Sequence, residues 1–383
     1  MLTLHVIYPK TTMRVLQLGK FYPGTGGIEK VMLDIFEGLN ANDISCDILC
    51  TNAVAGQASR TYDRNGGRIM CVKAQAKKFA TMLSPQMITM LRRIRRQYDI
   101  IHVHHPDPMA ALSLWLSAYK GKVVVHWHSD IQKQKQMLRA YLPLQNWLLR
   151  RADIIVGTTP VYINQSPHLA RFQDKCTYVP IGIDEIKPDA AAVKRIKQRY
   201  AGRKIVFSLG RLVHYKGYRY LIEAAEHLTD DYVVLIGGSG LLRDELEKQI
   251  EENGLRERVK LLGRVADADL PGYYGACDVY CLSSIMKTEA FAIVQVEAMS
   301  CGKPVVATNI PASGVPWVNA DGVSGLNVDV MNGKALADAI IKITQDSRLY
   351  DKLAAGARDR FSSLFRKEKM IERYIGIYNR LLS

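Results

Sequence analysis

The sequence predicts an α/β protein made of two doubly wound domains in tandem. Short apolar, β-branched runs alternate with longer amphipathic segments along the whole chain, which is the pattern of parallel sheets covered by helices. The pattern starts twice, each time with a strand followed by a turn that contains glycine. The length of 383 residues also suits two domains better than one core.

The individual elements follow from the spacing of apolar residues. Each predicted strand is a short apolar run that ends at polar or turn-forming residues. The predicted strands are Arg14–Gly19, Asp47–Asn52, Ile69–Lys73, Ile100–His104, Lys122–Trp127, Ile154–Gly157, Cys176–Pro180, Lys204–Leu209, Tyr232–Gly237, Arg258–Gly263, Asp278–Ser283 and Lys303–Ala307. Segments with apolar residues three or four apart predict helices, among them Ile28–Leu39, Ser84–Gln97, Gly217–Leu228, Leu241–Asn253 and Phe291–Cys301.

The break between the two series lies at residues 179–190, where two prolines and a glycine interrupt the periodicity. We therefore expect a first domain at 13–182 and a second domain at 183–364. Residues 1–12 precede the first strand and are predicted to be an N-terminal extension. The last segment, 365–383, is basic and amphipathic and follows the final α/β unit, so we expect a helix that returns to the first domain.

Composition narrows the classes of function. With 48% hydrophobic and 23% charged residues the chain is globular in composition, and it contains no apolar run of the about 20 residues that span a membrane. The first twelve residues lack the apolar core and cleavage site of a signal peptide, so a cytoplasmic protein is expected. The seven cysteines are odd in number and form no C-x2-C pair, which predicts reduced thiols.

The positive charge is unevenly distributed. Of the formal net charge of +15, residues 1–184 carry +11. A basic excess favours anionic partners, and composition leaves nucleic acid, phosphorylated small molecules and an anionic membrane open. One helix of the first half ends in Arg92, Arg93, Arg95 and Arg96, and we predict that it rests on anionic lipid headgroups at the inner face of the plasma membrane. Simple solvation of these arginines is the alternative.

Two loops at predicted strand ends carry residues that suit a phosphate. After the first strand, Gly24, Gly26 and Gly27 form a turn before a helix, where backbone amides can donate to an anion. The turn is not G-x-G-x-x-G, and no acidic residue ends the second strand, so a dehydrogenase-type dinucleotide site is weakly supported. In the second half, Arg211 and Lys216 follow the first strand, where a guanidinium and an ammonium suit a pyrophosphate.

The sharpest motif is the pair Glu289 and Glu297 in TEAFAIVQVEAM. On one helix, the eight residue steps between them would span about 12 Å. Glu297 lies in an apolar stretch and therefore needs a partner or a ligand. The amides of Phe291, Ala292 and Ile293 at the predicted helix start are expected to be free to bind a phosphate. The alternative is an ordinary helix with a capping acid and one exposed glutamate.

Two further clusters are candidates for metal ligands. His102, His104 and His105 lie at the end of a predicted strand, but no carboxylate or cysteine cluster accompanies them, and a polar role is favoured. Asp267 and Asp269 form a D-x-D pair directly before an amphipathic helix, which favours helix capping. We therefore predict that the protein uses no metal and no cofactor.

Together these motifs resemble those of the retaining glycosyltransferases of family 4. The resemblance rests on GGIE, HWHSD, PIGID, GRL-x3-KG and TEAFAIVQVEAM followed by GKPVVAT, and it covers the chain from about Met13 to the C-terminus. It implies the GT-B architecture, in which two Rossmann-like domains face each other across a cleft. The first domain would hold the acceptor and the second the nucleotide-sugar donor, so the resemblance implies a hexosyltransferase.

The resemblance also implies roles for single residues. By motif match, Arg211 and Lys216 would bind the donor diphosphate, Glu297 the ribose and Glu289 the donor sugar, while His128 would contact the sugar near the reacting carbon. Arg211, Lys216, Glu289 and His128 form the implied catalytic set. The other implied donor-binding positions are Gly26, Gly27, Gly263, Arg264, Val265, Phe291, Ala292 and Ile293.

The chain departs from the family pattern in two places. Ala292 stands where the family usually has a glycine after the phenylalanine, and its methyl group is expected to influence the choice of donor. His126 lies two residues before His128 and competes for the same role. Ser129 and Asp130 follow His128, as the family pattern requires, so His128 is preferred.

The expected reaction moves a hexose from a nucleoside diphosphate sugar to a lipid-linked or polysaccharide acceptor during synthesis of a surface glycan such as lipopolysaccharide. Without a metal, Arg211, Lys216 and helix-start amides would meet the charge of the leaving diphosphate. The family implies retention by front-face attack, with a GDP-mannose-like donor slightly preferred over a UDP-sugar. The alternatives are a sugar-nucleotide epimerase on the same fold and, more remotely, a non-enzymatic nucleic-acid-binding protein.

Overall fold

The chain folds into two compact units. The computed structural model describes residues 13–24, 26–78, 81–131, 135–200 and 202–383, so the predicted extension at 1–12 lies outside the described residues. The first unit comprises the chain up to Val156 together with 174–177 and 371–383. The second unit comprises 157–173 and 178–370.

The first unit is built on an eight-stranded sheet with the order β10-β9-β8-β7-β1-β2-β4-β3. From β8 through β7, β1 and β2 to β4, neighbouring strands run parallel. Strands β3 and β4 form an antiparallel hairpin, and β5 pairs with β6 in a separate ribbon. The strand order reverses at β1, which lies between β7 and β2. Its elements are β1 (Arg14–Tyr22), α1 (Gly27–Asn40), β2 (Ser45–Asn52), β3 (Arg60–Arg64), β4 (Gly67–Val72), β5 (Ala76–Lys78), β6 (Thr81–Leu83), α2 (Pro85–Ile94), β7 (Ile100–His105), α3 (Pro108–Ser117), β8 (Lys122–Trp127), α4 (Lys135–Arg151), β9 (Ile154–Gly157) and β10 (Cys176–Tyr178).

The second unit is built on a six-stranded parallel sheet with the order β13-β12-β11-β14-β15-β16. Its strand order reverses at β11. Its core packs the sheet against α7, α8 and α12, for example Val234 against Leu221 and Ile340. Its elements are α5 (Pro160–Asn164), α6 (Ala190–Arg199), β11 (Lys204–Leu209), α7 (Tyr218–Glu226), β12 (Tyr232–Gly237), α8 (Arg243–Glu252), β13 (Val259–Gly263), α9 (Leu270–Ala276), β14 (Val279–Leu282), α10 (Ile293–Ser300), β15 (Val305–Thr308), α11 (Val315–Val318), β16 (Gly325–Val328), α12 (Gly333–Gln345) and α13 (Ser347–Arg360). The last helix, α14 (Lys367–Leu382), begins in this unit and ends in the first.

The twelve predicted strands are present, with ends that differ by a few residues. The sequence did not predict β3, β5, β6 and β16. The sequence of β3 is RTYDR and all five residues are exposed, so it has no apolar run to detect. The seven cysteines, which all lie in the described part of the chain, are free thiols.

The second unit begins earlier than the predicted boundary at residue 183, because α5 packs within it. Gly157 has no room for a side chain against Ile163, and Thr159 contacts Gly314 in the same unit. The linker itself pairs with the start of the last helix. The amide of Ile183 donates to the carbonyl of Phe365 (2.9 Å) and its carbonyl accepts from the amide of Lys367 (3.0 Å).

The last helix, α14, belongs to the first unit from Ile371 onward. It begins at Lys367 rather than at Phe365, because Phe361–Phe365 forms a π-helical turn. Ile371 packs directly on Gly38 of α1, where a side chain would clash. Two buried tyrosines of α14 contact the sheet through hydrogen bonds described below. Among the described helices, none is both long and apolar enough to cross a lipid bilayer.

Candidate active site: two polar clusters at strand ends

In the second unit, glycines tie together the loops at the carboxyl ends of β11, β12 and β13. The amide of Gly210 donates to the carbonyl of Gly237 (3.0 Å), and the amide of Gly238 donates to the carbonyl of Gly263 (2.7 Å). Gly238 has φ +137°, and a Cβ there would clash with the carbonyl of Gly210. Because the strand order reverses at β11, this edge is where open α/β sheets bind their ligands.

Lys216 and Glu289 form a buried ion pair at this edge. Lys216 Nζ lies 2.5 Å from Glu289 Oε2, and the side chains are 9% and 11% exposed. The hydroxyl of Ser284 donates to the same carboxylate oxygen at 2.9 Å. Burial works to lower the pKa of Lys216, but the Glu289 carboxylate, together with the nearby Tyr218 and Tyr215, outweighs it, and the net shift of this pKa is upward. The lysine is therefore charged at physiological pH.

The ion pair forms because two loops are fastened to each other. The hydroxyl of Ser283 donates to the carbonyl of Lys216 (2.9 Å), and the amide of Ile285 donates to the carbonyl of Tyr215 (2.8 Å). Gly217 follows with φ +65°, and a Cβ there would clash with the carbonyl of Ser283. The loop after β11 thus lies directly against the loop after β14.

The two glutamates of the pair do not share a helix, so the helical spacing predicted between them is wrong. Helix α10 begins at Ile293, and Glu289 lies in the preceding loop. The physical reason is Ala292, which has φ +61° and therefore cannot continue a right-handed helix toward Glu289. This conformation favours glycine, the residue that the family pattern has at this place.

Glu297 has a protein partner. The hydroxyl of Tyr274 on α9 donates to Glu297 Oε2 at 2.6 Å. Burial raises the pKa of Tyr274, and the nearby Glu297 carboxylate raises it further, so the phenol stays a neutral hydrogen-bond donor. Tyr274 was not singled out from the sequence, because no spacing distinguishes it from its neighbour Tyr273.

The remaining predicted donor-binding residues of this unit differ in exposure. Arg211 is exposed, and its guanidinium donates to the hydroxyl of Tyr215 at 3.3 Å. Arg264 is exposed and Val265 is half-buried. Phe291 is buried with its ring edge-on to Phe365 (5.9 Å), so its side chain belongs to the core.

Arg243, the first residue of α8, is a cation that the sequence reasoning missed. One of its guanidinium nitrogens lies 3.7 Å from the position of a Cβ on Gly263, and it pairs with Glu247 at 2.6 Å. The D-x-D pair lies beyond β13. Asp269 occupies the N-cap of α9 as predicted by position, but its side chain makes no capping hydrogen bond.

In the first unit, His128 belongs to a cluster of four buried histidines on one face of the sheet. The parallel register of β7 and β8 places His104 beside His126, and alternate residues share a face. His104 Nδ1 hydrogen-bonds His128 Nε2 (2.9 Å), and His104 Nε2 hydrogen-bonds the amide oxygen of Gln17 (2.7 Å). His102 completes the cluster, with its ring stacked on that of His104.

Helix α14 covers this cluster. The hydroxyl of Tyr374 hydrogen-bonds His126 Nδ1 at 2.9 Å, and the hydroxyl of Tyr378 hydrogen-bonds His102 Nδ1 at 2.7 Å. His126 is therefore engaged with α14 and fully buried, whereas His128 is 6% exposed. Of the two histidines that compete for the substrate contact, the geometry favours His128.

Burial keeps these histidines neutral. It lowers the pKa of His104 to about 3 and lowers the pKa values of His102, His126 and His128 well below the usual range. For the latter three the neighbouring imidazoles add to the effect. The cluster therefore offers neutral hydrogen-bonding groups rather than positive charge.

Three of the histidines are close enough to be considered as metal ligands. His102, His104 and His126 each place a ring nitrogen within 4.8 Å of the others. The ring of His102 is inclined by only 18° to that of His104 and by 19° to that of His126. The rings of His104 and His126 are tilted by 38° to each other. One nitrogen of each of the three rings hydrogen-bonds a protein group, namely Tyr378, Gln17 or Tyr374. His105 lies apart, stacked on Trp127 at 3.7 Å.

The predicted glycine turn precedes α1 and is filled by an acidic side chain. Glu29 is buried, with its Cβ and Cγ atoms against Gly24 and its carboxylate against Gly26, so a side chain at either glycine would clash with it. Gly27 is exposed at the first position of α1. An anion at Gly26 and Gly27 would therefore require the Glu29 carboxylate to move.

Both halves of the chain match described protein families. Residues 25–186 match the family described as Glycosyltransferase Family 4, and residues 189–360 match the family described as Glycosyl transferases group 1. The two matches correspond closely to the two series of strands and helices that the sequence predicts.

Individual relatives cover nearly the whole chain. The chain is 30% identical over 375 residues to O-antigen chain mannosyltransferase C of Escherichia coli, which covers 97% of this chain and 99% of the relative. It is 28% identical over 359 residues to D-rhamnosyltransferase WbpZ of Pseudomonas aeruginosa, with 92% of each chain covered.

Solved structures show the same fold. The crystal structure of Anabaena Alr3699/HepE in complex with UDP superposes with a TM-score of 0.78 at 22% identity, covering 96% of this chain and 100% of that chain. Sucrose-phosphate synthase from Thermosynechococcus elongatus superposes with a TM-score of 0.76 at 21% identity, covering 97% and 99%. The α/β architecture with two Rossmann-like domains is therefore confirmed.

Proposed function

The chain belongs to the group 1, family 4 glycosyltransferases. We propose that it moves a hexose from a nucleoside diphosphate sugar to a lipid-linked or polysaccharide acceptor of a surface glycan. That it is a hexosyltransferase with the GT-B fold follows from its family. The observation that carries the finer proposal is the buried pair of Lys216 and Glu289 at the strand ends of the second unit.

In this proposal the second unit binds the donor. Lys216 and the exposed Arg211 bind the diphosphate, and Glu289 binds hydroxyls of the donor sugar. Glu297 has one carboxylate oxygen held by Tyr274, which leaves the other to accept from the ribose hydroxyls. Gly263, Arg264 and Val265 lie at the end of β13 and flank the base.

The reaction needs positive charge where the diphosphate leaves. Lys216 remains protonated at neutral pH, so Lys216 and Arg211 can stabilise the departing phosphate without a metal. The acceptor hydroxyl attacks from the side of the leaving group, and a phosphate oxygen takes its proton, which retains the configuration. His128, being neutral, contributes a hydrogen bond to the sugar and not a charge.

The 30% identity of this chain to O-antigen chain mannosyltransferase C of Escherichia coli supports a mannose-type donor sugar. We propose a GDP-linked hexose, with a UDP-sugar as the second candidate. A thermal-shift panel of GDP, UDP, ADP and their hexoses tests this. Stabilisation by GDP compounds above the others is expected, and a preference for UDP compounds would replace the proposed donor.

We also propose that the first unit rests on an anionic membrane at the cytoplasmic face. Residues 85–151 contain eleven Lys and Arg against three Asp. Two of the three, Asp107 and Asp130, are buried. Near the ends of the helices, Trp115 is 51% exposed and its ring lies 6.2 Å from that of Trp147. Basic residues beside the exposed Trp115 and the half-buried Trp147 suit the headgroup region of a bilayer.

The structure changes the part that helix α2 is predicted to play in the membrane contact. Met87, Leu91 and Ile94 of α2 are buried inside the first unit, and Ile88 and Met90 are half-buried, so this helix has no fully exposed apolar face to insert into lipid. Arg92 and Arg95 donate to backbone carbonyls, of Leu116 and Arg92 respectively. The arginines act as surface charges, and the tryptophans are the apolar contacts.

Flotation with liposomes tests the membrane proposal. Liposomes containing phosphatidylglycerol are expected to retain the protein at physiological salt, and replacing Arg92, Arg93 and Arg96 with Gln should weaken retention. The control replaces Lys194, Arg195 and Lys197 of α6, which are exposed cations of the second unit. Equal retention of both variants would overturn the proposed surface, as would loss of binding on addition of competing RNA alone.

The proposed reaction is tested by Glu289→Gln. Transfer is expected to be abolished while the far-UV spectrum is unchanged, and EDTA should leave the wild-type rate unaltered. Wild-type rates in the variant would contradict the role of Glu289, and a strict requirement for Mg2+ or Mn2+ would contradict the metal-free chemistry. Conversion of the donor sugar in the absence of any acceptor would favour the epimerase instead.

A further inference from the structure

Buried polar atoms without a hydrogen-bond partner are few in the second unit. In the part of it that the structure describes, they are Thr158 Oγ1, Tyr218 OH, Thr288 Oγ1 and Gln295 Oε1. Tyr218 follows Lys216 by two residues, and Thr288 directly precedes Glu289. An unpaired buried hydroxyl costs about 1–3 kcal/mol, and such groups are characteristic of sites that a ligand completes.

Tyr218 is the most informative of the four. It begins α7 and is only 3% exposed. Its hydroxyl lies 2.9 Å from the position that a Cβ on Gly210 would occupy, and Lys216 Nζ lies 3.2 Å from the same position. The phenol oxygen and the ammonium nitrogen therefore both lie against Gly210, where a larger residue would crowd them.

The phenol is a neutral donor at this place. Burial raises the pKa of Tyr218, the charge of Lys216 lowers it, and the net shift is upward. The hydroxyl of Ser208 lowers this pKa, as a donor to the phenol oxygen does, although the two groups lie outside ordinary hydrogen-bond geometry. The Tyr218 proton is thus free to be donated to another acceptor.

We propose that the Tyr218 hydroxyl donates a hydrogen bond to a phosphate oxygen of the nucleotide-sugar donor, beside Lys216. The proposal rests on the donor site proposed above. A phenol adds a directed donor without adding charge, so it can orient a diphosphate that Arg211 and Lys216 attract. No sequence motif marks Tyr218 for this role, because it occupies an apolar position of the amphipathic helix α7.

Tyr218→Phe tests the proposal, since it removes only the hydroxyl. Because that hydroxyl has no partner in the free protein, the melting temperature is expected to stay the same or to rise. The dissociation constant for GDP or UDP, whichever binds wild type, is expected to increase about tenfold, the usual effect of losing a hydrogen bond to a charged group. A lower melting temperature with unchanged nucleotide affinity would overturn the proposal.

Tyr232→Phe is the matched control. The hydroxyl of Tyr232 hydrogen-bonds Thr344 Oγ1 at 2.6 Å in the same unit, so its removal should lower the melting temperature and leave nucleotide affinity unchanged. Lys216→Gln distinguishes failure of the Tyr218 contact from failure of the whole donor site. If it weakens binding and Tyr218→Phe does not, only the role of Tyr218 fails. If neither variant weakens binding, the donor site itself is wrong.

Discussion

The two units bury polar groups in opposite ways at equivalent edges of their sheets. The first unit buries a cluster of four histidines, and burial drives them to the neutral form. The second unit buries a lysine, which keeps its charge because Glu289 lies 2.5 Å away. A buried polar group is thus either neutralised or paired, and the choice decides what each unit can offer a substrate. In the proposed function the second unit offers charge to a diphosphate, and the first offers neutral hydrogen bonds to hydroxyl groups.

The largest expected difference between the units is their response to acid. An unfolded histidine has a pKa of about 6.5, and the folded cluster has lower pKa values, so the folded state binds fewer protons. The stability that depends on neutral histidines is therefore present above about pH 6.5 and is lost as the pH falls. At pH 5 each buried histidine is expected to cost about 2 kcal/mol relative to neutral pH.

Urea unfolding followed by tryptophan fluorescence measures this effect, since Trp115, Trp127 and Trp147 lie in the first unit and Trp317 in the second. The urea midpoint for unfolding of the first unit is expected to fall when the pH is lowered from 7.5 to 5. An unchanged midpoint would show that the histidines are not held neutral, and the contrast between the two units would fail.

The second difference concerns removal of one partner. Lys216→Met or Glu289→Met alone leaves an uncompensated buried charge and is expected to cost about 3 kcal/mol of unfolding free energy. The double variant Lys216→Met/Glu289→Met should cost much less than the sum, because no charge remains buried. Chemical denaturation of the four proteins at pH 7 completes the cycle. Strict additivity would mean that the two groups do not stabilise each other.

A smaller effect, on the KM for the donor, is expected when the partner of Glu297 is removed. Tyr274→Phe removes the hydroxyl that holds Glu297, so the carboxylate is less well placed for the ribose. The KM for the donor is expected to rise several-fold with little change in kcat, which corresponds to about 1 kcal/mol of binding free energy. Tyr273→Phe, on the same helix, is the control and should keep the wild-type KM. Equal kinetic constants for Tyr274→Phe and wild type would leave Tyr274 with a structural role alone.

The sequence was a good guide to the strands and to which residues gather at their ends, because apolar periodicity and strand direction determine both. It was a poor guide to which side chains contact each other. The spacing of Glu289 and Glu297 was interpreted as one helix, whereas Ala292 with its positive φ separates them. Tyr274 carried no local pattern, since its partner Glu297 lies on another helix, and Tyr218 occupies an ordinary apolar position of α7. The histidine cluster depends on strand register and on α14, which local sequence does not encode.

The most direct test of the central claim is transfer itself, measured with sugar-labelled GDP- and UDP-hexoses, a membrane fraction as acceptor and EDTA throughout. The wild-type protein is expected to move label from one of these donors into the glycan or lipid-linked fraction, and Glu289→Gln to move none. Equal incorporation by the two proteins would contradict the assignment of the second unit's ion pair as the donor site.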